Sequence, residues 1–358
     1  MYRTVSQKLK LMPVQFDTVR RIAGCCRYVH NHFLARLETE TVSYDTCRRE
    51  LKSQISHNHW LQEPHESVLM YALKSMYRRY KYGGAKDKPR YLSKYKTIAF
   101  RVFDVAVEGN SVIIPTIGKI KCRGLSKRIG IHPILSATII VSPDGYCEFR
   151  VLIDVDEDFY PAPIVDKVGI DFGIRTVLTL SNGMKFTISK KIKKLYSKMD
   201  YYQQKCNSAQ RLSNNYWKWY KKLQRTMRKL HNCLNGYAQM ISHIITTIYG
   251  EILIEKLSMK HLLKQSEGSA KYLMRSGLPT CYRWLQYMCM KRGRVFSIVD
   301  ANYPSTKLCS HCGYKNDKIK GVHIHKWVCP VCGIRHDRDI NAAINILHYN
   351  PSIVVQKN

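Results

Sequence analysis

At 358 residues the chain has room for two or three domains with cores of their own. Its formal net charge of +33, from 59 Lys and Arg against 26 Asp and Glu, repels itself unless a polyanion neutralises it, so the expected partner is nucleic acid. A basic face for membrane lipid fits worse, because no apolar run reaches the roughly 18 residues needed to span a bilayer and the amino terminus lacks a signal-peptide core.

Residues 5–11 alternate, with Val5, Gln7, Leu9 and Leu11 on one face, and read as a strand ending at Pro13. From Asp17, taken as an N-cap, apolar residues at Val19, Ile22, Cys26, Val29, Phe33 and Leu37 have the spacing of an amphipathic helix. Further helices are expected over 44–56 and 66–82, the latter burying Leu69, Leu73, Met76 and Tyr80 and leaving Lys74, Arg78, Arg79 and Lys81 on solvent or on phosphate. For any single one of these basic residues a solvated face is an equally good reading. Gly83-Gly84-Ala85 breaks the helix, and 86–96, with Lys88, Pro89 and Arg90, reads as a phosphate-contacting loop or a flexible connection. Strands are expected at 98–107, 111–114, 118–122, 137–141 and 147–154, the last two joined by a hairpin at Pro143-Asp144-Gly145. With 5–11 as a further strand, the simplest organisation is a small β-barrel (1–11 and 84–160) interrupted by a helical insertion at 12–83. Pro161-Ala162-Pro163 marks the next boundary.

From Val165 the pattern is mixed α/β, with strands at 168–171, 177–180 and 185–188 and a turn at Ser181-Asn182-Gly183. Residues 189–230 read as helical, with thirteen Lys or Arg against one acid, Asp200. A charge run is commonly only a solvated face, but one so lopsided repels itself. Lys190, Lys191, Lys193, Lys194, Lys218, Lys221, Lys222, Arg225, Arg228 and Lys229 are therefore read as lining a phosphate backbone. The continuation through Met240, Ile241, Ile244, Ile245 and Ile248 is apolar and delivers the chain to a short strand at 252–257. A mobile polar loop at 266–269, a helix at 281–292 and a strand at 295–299 follow. The 24 Tyr and five Trp offer ring faces on which unpaired bases can stack, although sequence singles out none of them.

Nine of the thirteen cysteines are irregularly spaced and read as reduced. The other four form two Cys-x-x-Cys knuckles, Cys309-Ser310-His311-Cys312 and Cys329-Pro330-Val331-Cys332, sixteen residues apart. Each knuckle offers two thiolates to one side of a tetrahedral ion, which points to structural zinc ahead of a redox dithiol pair. His311, His323, His325 and His336 lie nearby, but four thiolates fill the coordination sphere, so the histidines read as surface residues or nucleic-acid contacts.

Three carboxylates sit where carboxylates are costly. Asp171 lies within the apolar run Val168-Gly169-Ile170-Asp171-Phe172-Gly173, with a glycine just beyond where a backbone or ligand can approach closely. Glu255 lies within Ile252-Leu253-Ile254-Glu255-Lys256-Leu257, and Asp339 opens the apolar helix of Asp337-Arg338-Asp339-Ile340-Asn341-Ala342-Ala343. A buried carboxylate is expensive unless paired or bound to metal, and three on separate elements suggest a site assembled in space. Such a site can hold two divalent cations, one activating water and one stabilising the leaving oxygen of an in-line displacement at phosphorus. Hard oxygen ligands favour Mg²⁺ or Mn²⁺, with Asp171 bridging both ions and Glu255 and Asp339 completing one each. On a basic chain this reads as a nuclease.

These residues, together with Pro304-Ser305-Thr306-Lys307-Leu308 before the first knuckle and a glycine after each, resemble in order and spacing the carboxy-terminal half of the transposon-encoded TnpB proteins, from about Val165 to Leu347. The amino-terminal half fits more loosely, through 24–31 and Lys88-Pro89-Arg90-Tyr91. Fanzor proteins and small type V CRISPR effectors are related to that family. The resemblance implies a multidomain α/β RNA-guided DNA endonuclease. Its β-barrel (wedge) domain with a helical (recognition) insertion would grip a guide RNA and read a short DNA motif beside the target. A RuvC nuclease domain of RNase H-like fold (163–302 and 337–358, with the basic helical segment 188–250) would cut double-stranded DNA, with a zinc ribbon at 303–336 inserted before the last acid. It puts catalysis on Asp171, Glu255 and Asp339, choosing Asp339 over Asp337 because the family's Asp-x-Asn-Ala-Ala places the acid two residues before the asparagine. Phe172 stands where an aliphatic residue is commoner. The expected assembly is one protein monomer per guide RNA, cytoplasmic in a prokaryote and nuclear for a viral or eukaryotic source. A nuclease-dead RNA-guided repressor, which the intact triad argues against, and a strand-transferring transposase of the same metal chemistry remain as alternatives.

Overall fold

The computed structural model describes residues 2–84, 87–155, 160–173, 176–256, 275–300, 302–319 and 324–349. The loop expected at 266–269 and His323 lie outside the described residues. The chain divides into two compact units, Met1–Glu157 and Asp158–Asn358, close to the boundary that Pro161-Ala162-Pro163 suggests.

The first unit runs β1 (Tyr2–Lys8), α1 (Pro13–Thr39), α2 (Tyr44–His57), α3 (His59–Gln62), α4 (Glu66–Tyr82), β2 (Ile98–Val102), β3 (Ala106–Glu108), β4 (Ser111–Ile114), β5 (Gly118–Lys121), α5 (Leu125–Ile129), β6 (Ile134–Val141) and β7 (Cys147–Asp154). The expected stripe of α1 is buried from Val19 to Leu37, but the helix opens four residues before Asp17. Pro13 starts it because a fixed φ and a missing N–H suit the first helical turn, and the Gln15 side chain accepts from the Met12 N–H at 3.1 Å. The strands form two antiparallel sheets, ordered β1-β7-β6-β2 and β3-β4-β5, rather than one continuous ladder. The expected strand 98–107 is interrupted at Asp104, whose φ is +52°, and the chain changes sheet there. Val5, Phe149 and Ile139 of the first sheet, Val112 and Ile120 of the second, and Phe33 and Leu69 of the helices share one core. The helices of 12–83 are thus packed into the same unit as the strands.

The second unit contains β8 (Val165–Phe172), β9 (Thr176–Leu180), β10 (Lys185–Thr187), α6 (Lys190–Ser208), α7 (Asn214–Ile248), β11 (Tyr249–Glu255), α8 (Leu278–Arg292), β12 (Val295–Val299), β13 (Lys326–Val328), β14 (Arg335–Asp337) and α9 (Arg338–Leu347). Its five-stranded sheet has the order β10-β9-β8-β11-β12. The first three strands form an antiparallel meander, and β8, β11 and β12 are parallel. The basic run is not one helix: α6 ends at Ser208, the chain turns with Leu212 at φ +68°, and the Ser213 hydroxyl accepts from Tyr216 N–H at 3.1 Å to cap α7.

Side-chain alternation along the strands assigns the two faces of this sheet. Val168 and Ile170 of β8 and Ile252 and Ile254 of β11 pack with Ala238, Ile241 and Ile245 of α7 and with Leu278, Cys281, Leu285 and Cys289 of α8. Each such fully buried aliphatic side chain contributes about 1.5–3 kcal/mol, so this face anchors the strands. The intervening positions, Gly169, Asp171, Leu253 and Glu255, face the other way, where Leu253, Val299 and Ile346 of α9 form a second cluster. There α9 lies directly on β8: a Cβ built on Gly169 would sit inside contact distance of the Ala343 carbonyl and 2.5 Å from Leu347 N. The glycine beyond Asp171 serves a different end, since a Cβ on Gly173 would lie 2.6 Å from the Thr176 carbonyl of the chain's own return into β9.

Gly169→Ala should therefore lift α9 from the sheet and lower the stability measured by denaturant unfolding by about 3 kcal/mol, at the upper end of overpacking costs.

Candidate active site and zinc cluster

The ladder brings the first two acids together. Ile254 pairs with Ile170, so Glu255 and Asp171 are the next positions on adjacent parallel strands, both on the α9 face and both at the carboxyl ends of their strands. The third follows from the helix contact: Ala343 covers Gly169, Asp339 is one turn earlier on α9, and Asp171 is two residues further along β8. Asp171 is buried, and burial first, then the charges of Glu255 and Asp339, holds its carboxyl well above the usual carboxylate range. Burial also raises Glu255, against the pull of the Ser305 hydroxyl that donates to its carboxylate.

Asp337 is occupied otherwise. Its Oδ1 accepts from the N–H groups of Asp339 and Ile340 at 3.2 Å each, capping α9, and its Oδ2 accepts from Lys185 Nζ at 2.8 Å. Burial opposes its ionisation, but the Lys185 ammonium and the two amides outweigh it and hold the carboxyl below its ordinary value. Arg338 adds a positive charge that favours the ionised form of Asp171. Sequence reasoning passed over Lys185, Ser305 and Arg338. Lys185 is an ordinary polar residue far from its partner along the chain, whereas Ser305 lies in the stretch before the first knuckle and Arg338 between the two acids, both within the quoted motifs.

The four cysteines converge as their spacing predicts. Their sulfurs lie within 4.8 Å of one another, with Cys309 3.6 Å from Cys332 and Cys312 3.6 Å from Cys329. The knuckles are built alike: Gly313 N–H donates to the Cys309 carbonyl and Gly333 N–H to that of Cys329, each at 2.9 Å, with both glycines at positive φ, +75° and +73°. Four thiols so placed fit a zinc ion. His336 departs from expectation. It is buried, its Nε2 lies 3.0 Å from Cys309 Sγ, and its ring packs on Trp327 at 4.7 Å, because its place in β14 opposite Trp327 turns it inward. His311 and His325 are exposed.

The first knuckle is tied to the acid-bearing helix by two asparagines. Asn341 Nδ2 donates to the Leu308 carbonyl at 2.7 Å and its Oδ1 accepts from Ser310 N–H at 2.9 Å. Asn345 Nδ2 reaches the carbonyls of Ser305 and Leu308 at 2.7 and 2.8 Å. The segment that donates to Glu255 is thus held between the cysteine cluster and α9.

The basic residues singled out in the sequence are spread over both units. In the first, Lys74, Arg78, Arg79, Lys88 and Arg90 are exposed, and Arg79 lines a cavity of about 250 Å³ with His30, Tyr71, Ser75, Leu92 and Arg101. In the second, Lys190, Lys191, Lys193, Lys194, Lys218, Lys221, Lys222, Arg225 and Lys229 are exposed and Arg228 is half-buried. No helix among the described residues is long and apolar enough to cross a membrane.

Two outcomes follow from this geometry. A carboxyl whose folded-state pKa is raised stabilises the fold below its unfolded pKa, and that contribution is lost as pH rises through the folded value. Asp171→Asn should therefore raise the thermal midpoint of the cation-free protein more at pH 8 than at pH 5. Added Mg²⁺ should raise the midpoint of the unmodified protein at pH 8 and leave that of the variant unmoved. Elemental analysis of the purified protein should find about one zinc per chain, lost in Cys329→Ser.

Residues 150–266 match the OrfB_IS605 family model, described as "Probable transposase", and residues 280–346 match the model described as "Cas12f1-like, TNB domain". A "Putative RNA-guided DNA endonuclease" of Streptomyces pristinaespiralis is 30% identical over 211 residues, covering 59% of this chain and 52% of its own. The chain thus spans about half the length of that relative. The "Putative RNA-guided DNA endonuclease InsQ" of Escherichia coli is 26% identical over 381 residues, 97% of this chain and 92% of its own. Among solved structures, a Cas12f1-sgRNA-target DNA complex aligns over 99% of this chain and 100% of that one at 16% identity, with a TM-score of 0.38, a likeness too weak to assign the fold by itself. The two family matches between them contain all three acids and all four cysteines, and in both segments the chain is similar to OrfB_IS605, TnpB-like proteins.

Proposed function

We propose that this protein is an RNA-guided DNA endonuclease whose second unit is a RuvC-type, RNase H-like nuclease. The observation that carries this reading is Asp171, a buried carboxylate pressed by two further acids at one end of a sheet. A fold keeps such an arrangement where cations repay its cost. The antiparallel meander β10-β9-β8 followed by the parallel strands β11 and β12, with acids in the first strand of the meander and at the end of β11, supports the same reading.

Bound divalent cations, Mg²⁺ or Mn²⁺, would supply the charge that lowers the pKa of an attacking water and neutralises a leaving oxygen at phosphorus. The chain's own residues hold and orient. Asp171, central and buried, with Glu255, to which Ser305 donates, and Asp339, in the first turn of α9, would hold the cations. The zinc ribbon orders the Ser305–Ser310 segment against α9. The first unit would be the wedge and recognition region, and guide RNA and target double-stranded DNA would run along the exposed lysines and arginines of both units, one monomer per guide.

The description "Probable transposase" attached to the OrfB_IS605 match favours one other reading, a strand-transferring transposase with the same metal chemistry. RNA that copurifies with the protein and programs cleavage separates the two.

Asp171→Ala, Glu255→Ala and Asp339→Ala should each abolish guide-dependent DNA cleavage while leaving RNA-dependent DNA binding near normal, since binding rests on phosphate contacts elsewhere. Asp337→Ala, which removes a cap and an ion pair, should still cut. The reverse pattern at 337 and 339 would transfer the role to Asp337.

A further inference from the structure

The hairpin of α6 and α7 carries a cluster of rings near its turn that the acid site does not use. Tyr202 of α6 and Trp219 of α7 lie 6.1 Å apart with their planes 28° from parallel. Tyr201 stands nearly edge-on to Trp219, at 6.1 Å and 88°, and is 48% exposed. Three exposed lysines roof the group. Lys222 Nζ is 4.6 Å from the Trp219 ring centre and 6.0 Å from that of Tyr202, Lys218 Nζ is 5.4 Å from Trp219, and Lys205 Nζ is 5.6 Å from Tyr201.

Rings that only pack two helices together are covered by apolar side chains. Here the covering groups are ammonium ions on flexible stems, attracted to the ring faces and free to swing off them. Charge restricts what can take their place. The only acid between residues 189 and 230, Asp200, is bound by Arg275 at 2.8 Å, so the lysines have no acidic neighbour on their own hairpin to neutralise them. A nucleic-acid strand answers both features, with bases for the ring faces and phosphates for the displaced ammonium groups. A duplex answers only the second, because its bases are already stacked and paired. Beside Tyr202 on α6, the exposed amides of Gln203 and Asn207, joined at 2.9 Å, offer the donors and acceptors that a ribose 2′-hydroxyl uses.

We propose that Tyr201, Tyr202 and Trp219, with Lys205, Lys218 and Lys222, form a stacking site for an unpaired RNA segment. The inference deepens the proposed function and rests on it for the source of that RNA, which would be an unpaired stretch of the guide. Stacked bases would take the ring faces, and the three ammonium groups would move onto the flanking phosphates.

The test uses the full chain freed of nucleic acid, with labelled oligouridylate, oligodeoxythymidylate and a blunt RNA duplex titrated over a range of salt. Trp219→Leu keeps the apolar bulk and removes the π face. It should weaken oligouridylate binding roughly tenfold, leave the slope of affinity against salt unchanged, and leave duplex binding as it was. Trp219→Phe should restore most of the loss, and an unchanged thermal midpoint for both variants excludes misfolding as the cause. Replacing Lys218 and Lys222 together by Gln should instead flatten the single-strand salt slope by about 0.7 per lost contact. Unchanged oligouridylate binding by Trp219→Leu, or an equal loss for the duplex, overturns the stacking site. Tighter binding of oligodeoxythymidylate overturns its assignment to RNA. Guide-dependent cleavage is measured separately, so Trp219-dependent binding without cleavage sinks the endonuclease reading alone, and cleavage with binding indifferent to Trp219 sinks this one alone.

Discussion

The depth to which α9 sinks onto β8 is the constraint on which the rest of the second unit depends. Helix backbone meets strand backbone at Gly169, where even a methyl group has no room. A ten-residue helix such as α9 is marginal in isolation and takes its stability from what it packs on. Here it buries Ala342, Ala343 and Ile346 against the sheet. The small residues at 342 and 343 let the helix settle at the level that brings Asp339 into the field of Asp171. The missing Cβ at Gly169 thus sets the height of α9 over the sheet two residues away from Asp171.

The same packing collects charges that repel one another. Asp171 is buried beside Glu255 and Asp339, and the groups that relieve it are few: Arg338 acts on Asp171, while Lys185 is taken up by Asp337. Asp337 in turn neutralises two free N–H groups at the start of α9, the task for which a carboxylate at a helix N-terminus is best suited. Two acids two residues apart therefore have different surroundings. Asp337 is engaged in capping and ion pairing and adds the smaller push on Asp171, whereas the charge of Asp339 presses harder on the buried acid. A divalent cation is the natural complement to that residual repulsion, and binding it couples metal affinity to pH through the same carboxyl groups.

The cysteine cluster belongs to this arrangement through its neighbours. Two left-handed glycines fold the knuckles so that paired sulfurs face each other, and Asn341 and Asn345 fasten the first knuckle to α9. Ser305, four residues before Cys309, then meets Glu255. Glu255 and Asp339 lie on elements far apart in the chain, and the ribbon closes a short path of hydrogen bonds between them. A metal that orders the ribbon thus steadies two of the three acids without touching either.

What the sequence determined by itself was whatever is written in local pattern. The buried stripes of α1 and α4, the hairpin at Asp144 and Gly145, the two knuckles and the apolar runs around Asp171 and Glu255 are legible because periodicity and ligand spacing are properties of neighbours in the chain. The family motif added the choice of Asp339 over Asp337. Tertiary structure decided what depends on residues distant in sequence. The strands of the first unit part into two sheets at Asp104, and the basic run folds back on itself at Leu212. His336 turns inward because Trp327 pairs opposite it. Asp337 is set apart from Asp339 by its local cap and by Lys185, which lies about 150 residues earlier in the chain. The inward turn of His336 and the Lys185–Asp337 pair have no signature within a window of a few residues, because the energy that selects each comes from a partner that the folded chain brings within reach.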